Sequence, residues 1–141
     1  MKWKLIGHCG VDSGMLMVTD PCYLREWENN EFEDIRRHKD VQTGKVWQYR
    51  VNFENYEEKI IDGLTVNELI KSGRLIDEPG IVDRSYSYNG AAQVTIAEQG
   101  GELGINGEGV AFRTGNGDGY YPVYARIEDG VVKEIKISFT E

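Results

Sequence analysis

Proline and cysteine are scarce in this chain, and each shortage narrows the reading. Only 3 prolines stand among 141 residues, against 17 glycines, so tight glycine turns rather than proline-rich linkers separate the elements. Two cysteines, Cys9 and Cys22, allow at most one disulfide. With no export signal in view they are expected as reduced thiols. No apolar run approaches the roughly 18 residues of a membrane span. Lys2 and Lys4 lead into Gly7, His8 and Cys9 instead of the apolar core of a signal peptide. A soluble cytoplasmic protein with no membrane partner is expected. Positive charge is short as well, with 16 basic residues against 24 acidic ones and a net charge of −8. Affinity for nucleic acid comes largely from Lys and Arg, so nucleic acid is disfavoured as a partner. The densest basic cluster, Arg36, Arg37 and Lys39, is bracketed by Glu33, Asp34 and Asp40.

What is present is ordinary globular material: 40% hydrophobic and 28% charged residues, in a length that suits one domain and one core. The expectation is a single β-rich domain over residues 1–141. Its class is mainly β (α+β), a compact antiparallel β-sandwich-like or meander domain with one or two short helices. Trp3–Gly7 reads as a first strand. Met15–Thr19 is apolar on both faces and reads as a central strand, stopped by Asp20-Pro21. In Leu24–Asp40, Trp27, Phe32 and Ile35 could line a helix, weakened by Asn29-Asn30. Lys45–Phe53 alternates as a half-buried strand. Thr65 and Glu68 have capping-box spacing for a helix closed at Gly73. Ala92, Val94 and Ile96 alternate with Gln93 and Thr95 as a strand, followed by short strands at Leu103–Ile105 and Val110–Phe112. Tyr121–Ile127 alternates again, and Asp129-Gly130 is a hairpin turn, so the last 50 or so residues read as an antiparallel meander.

Two segments carry the functional expectations, Val11–Leu24 and Thr114–Tyr124. In the first, Asp12, Ser13, Asp20 and Tyr23 are candidate ligand-binding residues, although Asp, Ser, Gly and Pro are also the ordinary punctuation of strands. A straight strand separates Asp12 from Asp20 by roughly 20–25 Å at about 3.3 Å per residue, too far for a catalytic pair. In the second, Asn116, Asp118, Tyr120 and Tyr121 are the candidates. Glycines at 115, 117 and 119 could turn backbone N–H groups into a common anion-cradling concavity. No Lys-Ser/Thr follows, which excludes a nucleotide P-loop, and the twelve-residue EF-hand pattern is absent. A turn-rich hairpin loop explains the same glycines without a ligand.

Cys22 with His8 or His38 could form a thiolate–imidazole pair, but no spacing favours it over a packed, inert cysteine, and no catalytic residue is assigned. His8, Cys9 and Cys22 lack paired zinc-ligand spacing, so no metal and no cofactor are expected. The readings left open are a binding module for a polar small molecule or protein partner, a hydrolase using Asp118 with Asp12 or Asp20 as base or divalent-cation ligands, and an interaction or assembly protein. The enzyme reading ranks last, and oligomeric state is open. An anionic ligand would require local donors such as Arg113 and Arg126 to converge.

Ser13-Gly14 followed by Asp20-Pro21, with Gly117-Asp118-Gly119-Tyr120-Tyr121-Pro122-Val123-Tyr124 about a hundred residues later, resembles an uncharacterised family of bacterial and phage proteins, a domain of unknown function. Its members carry an S-G-x(5)-D-P segment and a late G-D-G-x-Y-P-x-Y segment. The resemblance covers about 25 residues and leaves Trp27–Asp83 unmatched. It implies a compact β-rich fold and supplies no activity, cofactor or catalytic residue. Phage-like kinship would fit a role in host–virus conflict, such as sequestering a signalling nucleotide.

Overall fold

The computed structural model describes residues 2–140. Strand accounts for 42% and helix for 17% of the chain, the mainly β, α+β class expected of the sequence. Three small antiparallel sheets and one short hairpin share the strands.

The first sheet has the order β1 (Trp3–Val11), β10 (Gly119–Glu128), β11 (Val131–Ile137). β1 runs on through Gly7 and Gly10 to Val11, with a register shift between Leu5 and Gly7. Asp129 and Gly130 both have positive φ (53° and 75°), the geometry of the two-residue turn that the sequence signals. The second sheet has the order β2 (Met15–Thr19), β9 (Gly109–Arg113), β8 (Gly100–Leu103). β2 pairs only with β9, so it is an edge strand and not the central strand expected; Val18 is 62% exposed. The third sheet joins β4 (Val46–Gln48), β3 (Arg37–Asp40) and β7 (Leu75–Asp77), and β5 (Lys59–Ile61) pairs with β6 (Leu64–Thr65).

Further expectations need correction. Ala92–Ile96 is not a strand but the middle of helix α2 (Tyr88–Glu98), capped by Ser87, whose Oγ accepts from Gly90 N–H at 2.9 Å. The terminal meander is therefore interrupted: β8 and β9 build the second sheet, and the chain crosses to the first for β10 and β11. The long strand Lys45–Phe53 stops at Gln48, because Arg50 takes a positive φ of 66° and Asn52 folds back to accept from Gln48 N–H at 2.8 Å. Trp27, Phe32 and Ile35 lie on no α-helix; Asp20 instead caps a 3₁₀ turn, Pro21–Glu26, and the chain then runs irregularly to β3.

The capping box does form. Thr65 Oγ1 accepts from Glu68 N–H, and Glu68 Oε1 accepts from Thr65 N–H, both at 3.1 Å, opening α1 (Val66–Lys71). Gly73 closes it with φ 83°.

Apolar burial falls into two clusters. Tyr86, Ala91, Val94, Leu103 and Ala111 join α2 to the second sheet, with Met15, Met17, Trp27 and Val82 packed against them. Phe53, Val66, Leu69 and Leu75 join α1 to the third sheet. The segment carrying Ile35, Arg36 and Arg37 faces residues 96 and 97 of α2 across a cleft between these clusters.

Candidate functional site

The register of the second sheet decides which predicted residues meet. Met15 pairs with Arg113, and one step further Thr114 N–H donates to Gly14 O at 3.0 Å. The turn at 12–14 is thus stitched to the loop at 114–117, so the two segments singled out in the sequence come together. Ser13–Met15, Arg113–Gly115, Gly117 and the α2 residues Tyr88, Ala92, Thr95 and Ile96 line one open cleft of about 440 Å³.

The loop itself is a tight turn. Gly117 N–H donates to Thr114 O at 3.0 Å, and the hydroxyls of Thr114 and Tyr121 both donate to Gly117 O, at 2.6 and 2.7 Å. Tyr121 is 8% exposed, so its ring and hydroxyl hold the turn and are unavailable to a ligand in solution. Phe139 packs edge-on to Tyr121 and tilted against Phe112, at centroid distances of 5.2 and 5.9 Å, tying the two sheets together behind the loop.

The other predicted residues divide. Asn116, Asp118, Tyr120 and Tyr121 border a second depression, shared with Tyr124 and Phe139. Tyr120 is 72% exposed and stacks flat on His8 at 5.0 Å. Asp12 and Asp118 follow and precede the final pair of the β1–β10 ladder, Val11↔Gly119, so they share one end of that sheet. Asp20 lies at the opposite end of β2, where its Oδ1 accepts from Cys22 N–H at 2.9 Å as the cap of the 3₁₀ turn. Tyr23 lies on that turn, 40% exposed, away from both depressions. Cys22 is exposed, and both cysteines are free thiols. Among the described residues no group of three or more His, Cys, Asp or Glu is placed to hold a metal ion, and no helix is long and apolar enough to cross a membrane.

Sequence reasoning missed the residues around the second cleft, about 290 Å³, between β3 and α2. The basic cluster is resolved there by pairing. Asp34 takes Arg36 through both oxygens, with Arg36 Nε at 2.9 and 3.1 Å. Burial pushes the Asp34 carboxyl up, and the hydrogen bonds from Arg36 outweigh it, leaving it below its ordinary value. Asp40, 1% exposed, turns the other way and takes Arg74 at 2.8 and 3.0 Å. Arg74 and the local N–H and hydroxyl donors hold its carboxyl far below the usual carboxylate range. Lys39 lies 3.8 Å from Glu78. No described carboxylate pairs with Arg37 or Arg113, and both line this cleft. Arg126 does not converge with Arg113; it pairs with Glu128 and Glu134 on the first sheet.

His38 sits in the wall of the cleft, 6% exposed. Its Nε2 meets the Tyr56 hydroxyl at 2.9 Å. Its Nδ1 lies 2.9 Å from Asp77 Oδ1, without the alignment of a directed hydrogen bond. Burial raises the Tyr56 phenol above its ordinary range, and the Arg36 charge partly offsets this.

No protein-family model matches the chain, and no curated protein or solved structure is significantly similar to it.

Proposed function

We propose that the protein is a binding module for a polar small molecule, held in the cleft between the 12–15 turn, the 113–117 loop and α2. One observation carries this reading: segments a hundred residues apart in sequence are hydrogen-bonded side by side and line the same concavity. Pockets that hold small molecules combine apolar walls with a few convergent polar groups. Here Ala92, Ile96 and Met15 supply the walls, and Arg113, Ser13, Tyr88 and Thr95 the polar groups. The resemblance to the bacterial and phage family belongs to the same proposal. Its first motif begins at the lining residues Ser13 and Gly14, and its second begins at Gly117. A cytoplasmic setting, where two unpaired thiols persist, fits the free Cys9 and Cys22.

Thermal unfolding with a panel of nucleotides, sugars and amino acids tests the reading. At 100 times its Kd a ligand stabilises the fold by about 2.7 kcal/mol, which raises the midpoint by roughly 9 °C for a chain of this size. Tyr88→Ala, at the cleft wall, should abolish the shift. A panel that leaves the midpoint unmoved refutes the proposal.

A second reading, self-assembly, is favoured by a different observation. The surface exposed is 9343 Å², whereas a monomeric globular protein of 16.0 kDa exposes about 7,400 Å². Six of the seven residues of β11 are exposed. Ile127, Val132 and Ile135, at 40%, 54% and 52% exposure, share one apolar face, because residues directly opposite across a ladder point the same way. A second copy of the chain, burying that face against its own, is the occupant this reading names. Light scattering that gives a dimer mass, reduced to monomer by Ile135→Glu, would support it; a monomer at all concentrations would exclude it.

A further inference from the structure

The geometry points to the smaller cleft, between β3 and α2, as a binding site for a small oxyanion, the phosphate or carboxylate group of a small molecule. This goes beyond the module proposed above: the cleft is a different one and brings in Arg37, although Arg113 and Ile96 border both.

The first argument is an unsatisfied donor. Buried side-chain nitrogens in folded proteins nearly always find an acceptor, and one left without costs about 1–3 kcal/mol. Among the described residues Arg37 Nε, at this cleft, is such a nitrogen. An oxyanion held by the Arg37 guanidinium supplies the acceptor that side chain lacks, whereas His38 Nδ1 already lies 2.9 Å from Asp77 Oδ1.

The second argument is charge. In a chain of net charge −8, four of the eight arginines are held in ion pairs, Arg36 by Asp34, Arg74 by Asp40, Arg84 by Glu98 and Arg126 by Glu128. Arg37 and Arg113, from strands at opposite sides of the cleft, are left without partners and both line it. Guanidinium groups are the side chains best suited to planar or tetrahedral oxyanions. The charges that oppose this are few. Asp77 borders the cleft, but its side chain is 80% exposed and engages His38. Glu33 and Asp83 border the neighbouring depression, into which Arg37 also reaches, and neither forms an ion pair with it.

The third argument is construction. Pro79, Ile35, Ile96 and Ala97 give the cleft an apolar wall, which lowers the local dielectric and strengthens each charge–charge contact. Arg37 is packed, not free to wander: a Cβ added at Gly80 would lie 3.2 Å from both its Cζ and its Nη2. Tyr56 is fixed by His38, and α2 carries the opposite wall. The volume of about 290 Å³ is about ten times the 30 Å³ share of a liquid water. That admits inorganic phosphate or a small phosphorylated or carboxylated metabolite.

Isothermal titration with inorganic phosphate, and separately with acetate, at fixed ionic strength tests the site. Saturable binding of one anion at one site per chain is expected, weakened at least tenfold in Arg37→Met and in Arg113→Met. Chloride at the same ionic strength should not compete. Phosphate binding alone would identify a phosphate ester as ligand, and acetate binding alone a carboxylate. Tyr88→Ala, confined to the larger cleft, should leave anion affinity unchanged, so failure there and failure here are separable. Should an arginine variant unfold, the His38 and Arg37 side-chain resonances of the wild-type protein must still move on titration. The inference is overturned if neither anion binds the wild-type protein, or if both arginine variants bind with wild-type affinity.

Discussion

Replacing Gly90 by alanine should destabilise the protein, although the ordinary rule for a helical glycine predicts the reverse. Gly90 lies in the first turn of α2 and is buried there, its N–H held by the Ser87 cap. Alanine is favoured over glycine by about 0.8–1.0 kcal/mol in a helix interior. The added methyl, however, would overlap the carbonyl oxygen of Ser85 and lie 3.1 Å from its carbon and 3.2 Å from its nitrogen. Ser85 has little freedom to yield. Its N–H donates to Asp83 at 2.9 Å, and its hydroxyl meets that of Ser87 at 2.8 Å. Overpacking of this kind costs about 1–3 kcal/mol, and contact with backbone belongs at the upper end. The net expectation is a loss of about 1–2 kcal/mol, or roughly 3–7 °C in midpoint at about 2.1 cal/mol/K per residue. Urea unfolding followed by circular dichroism reads it directly, as a lower midpoint at unchanged slope. A Gly90→Ala variant as stable as the wild type, or more so, would refute the reasoning and place the start of α2 elsewhere. Because α2 walls both clefts, the same variant should also weaken ligand responses.

Further outcomes follow from the core, the cap and the charges. Leu103, fully buried between α2 and the second sheet, should cost about 2–5 kcal/mol on replacement by alanine, measured by the same urea titration. Thr65→Ala removes one half of the capping box and should cost about 1 kcal/mol. Asp40 has a folded-state carboxyl depressed from its ordinary 3.8 by the Arg74 hydrogen bonds, above all. A depressed carboxylate contributes stability that is complete above its unfolded value and is lost as pH falls toward the folded one. Stability should therefore drop progressively below about pH 4, and Asp40→Asn should flatten that acid limb in a pH series of melting curves.

Local signals were legible in the sequence and long-range ones were not. The Thr65–Glu68 cap, the Asp129-Gly130 turn and the β2 strand each depend on neighbours within a few residues. α2 escaped because its buried residues are mixed, with polar side chains beside Ala91 and Val94. Asn89, Gln93 and Thr95 are buried at 5%, 2% and 6% exposure, so the apolar residues that remain alternate like a strand. That polarity is satisfied in the fold: Gln93 Oε1 accepts from Asp83 N–H at 2.6 Å, its amide donates to Glu33 O at 3.0 Å, and Asn89 Oδ1 accepts from Glu33 N–H at 2.7 Å. These two side chains fasten the irregular 28–35 segment to α2, and no periodicity announces them. The larger cleft was half legible, since both of its loops stood out but the α2 wall did not. The smaller one was hidden by its own charge pattern. Arg36, Arg37 and Lys39 looked neutralised by adjacent acids, and only the fold shows Asp40 committed to Arg74 and Arg37 left over. Arg113, 76 positions further along the chain than Arg37, reaches the same cleft through tertiary packing alone.

The most direct test of the central claim, a small-molecule cleft where the two segments meet α2, is an amide NMR titration with pooled metabolites. The account predicts that shifts caused by a binding pool concentrate on Ser13–Met15, Arg113–Gly117 and the α2 positions 88–96. No shifts with any pool, or shifts confined to the exposed faces of β1, β10 and β11, would contradict it.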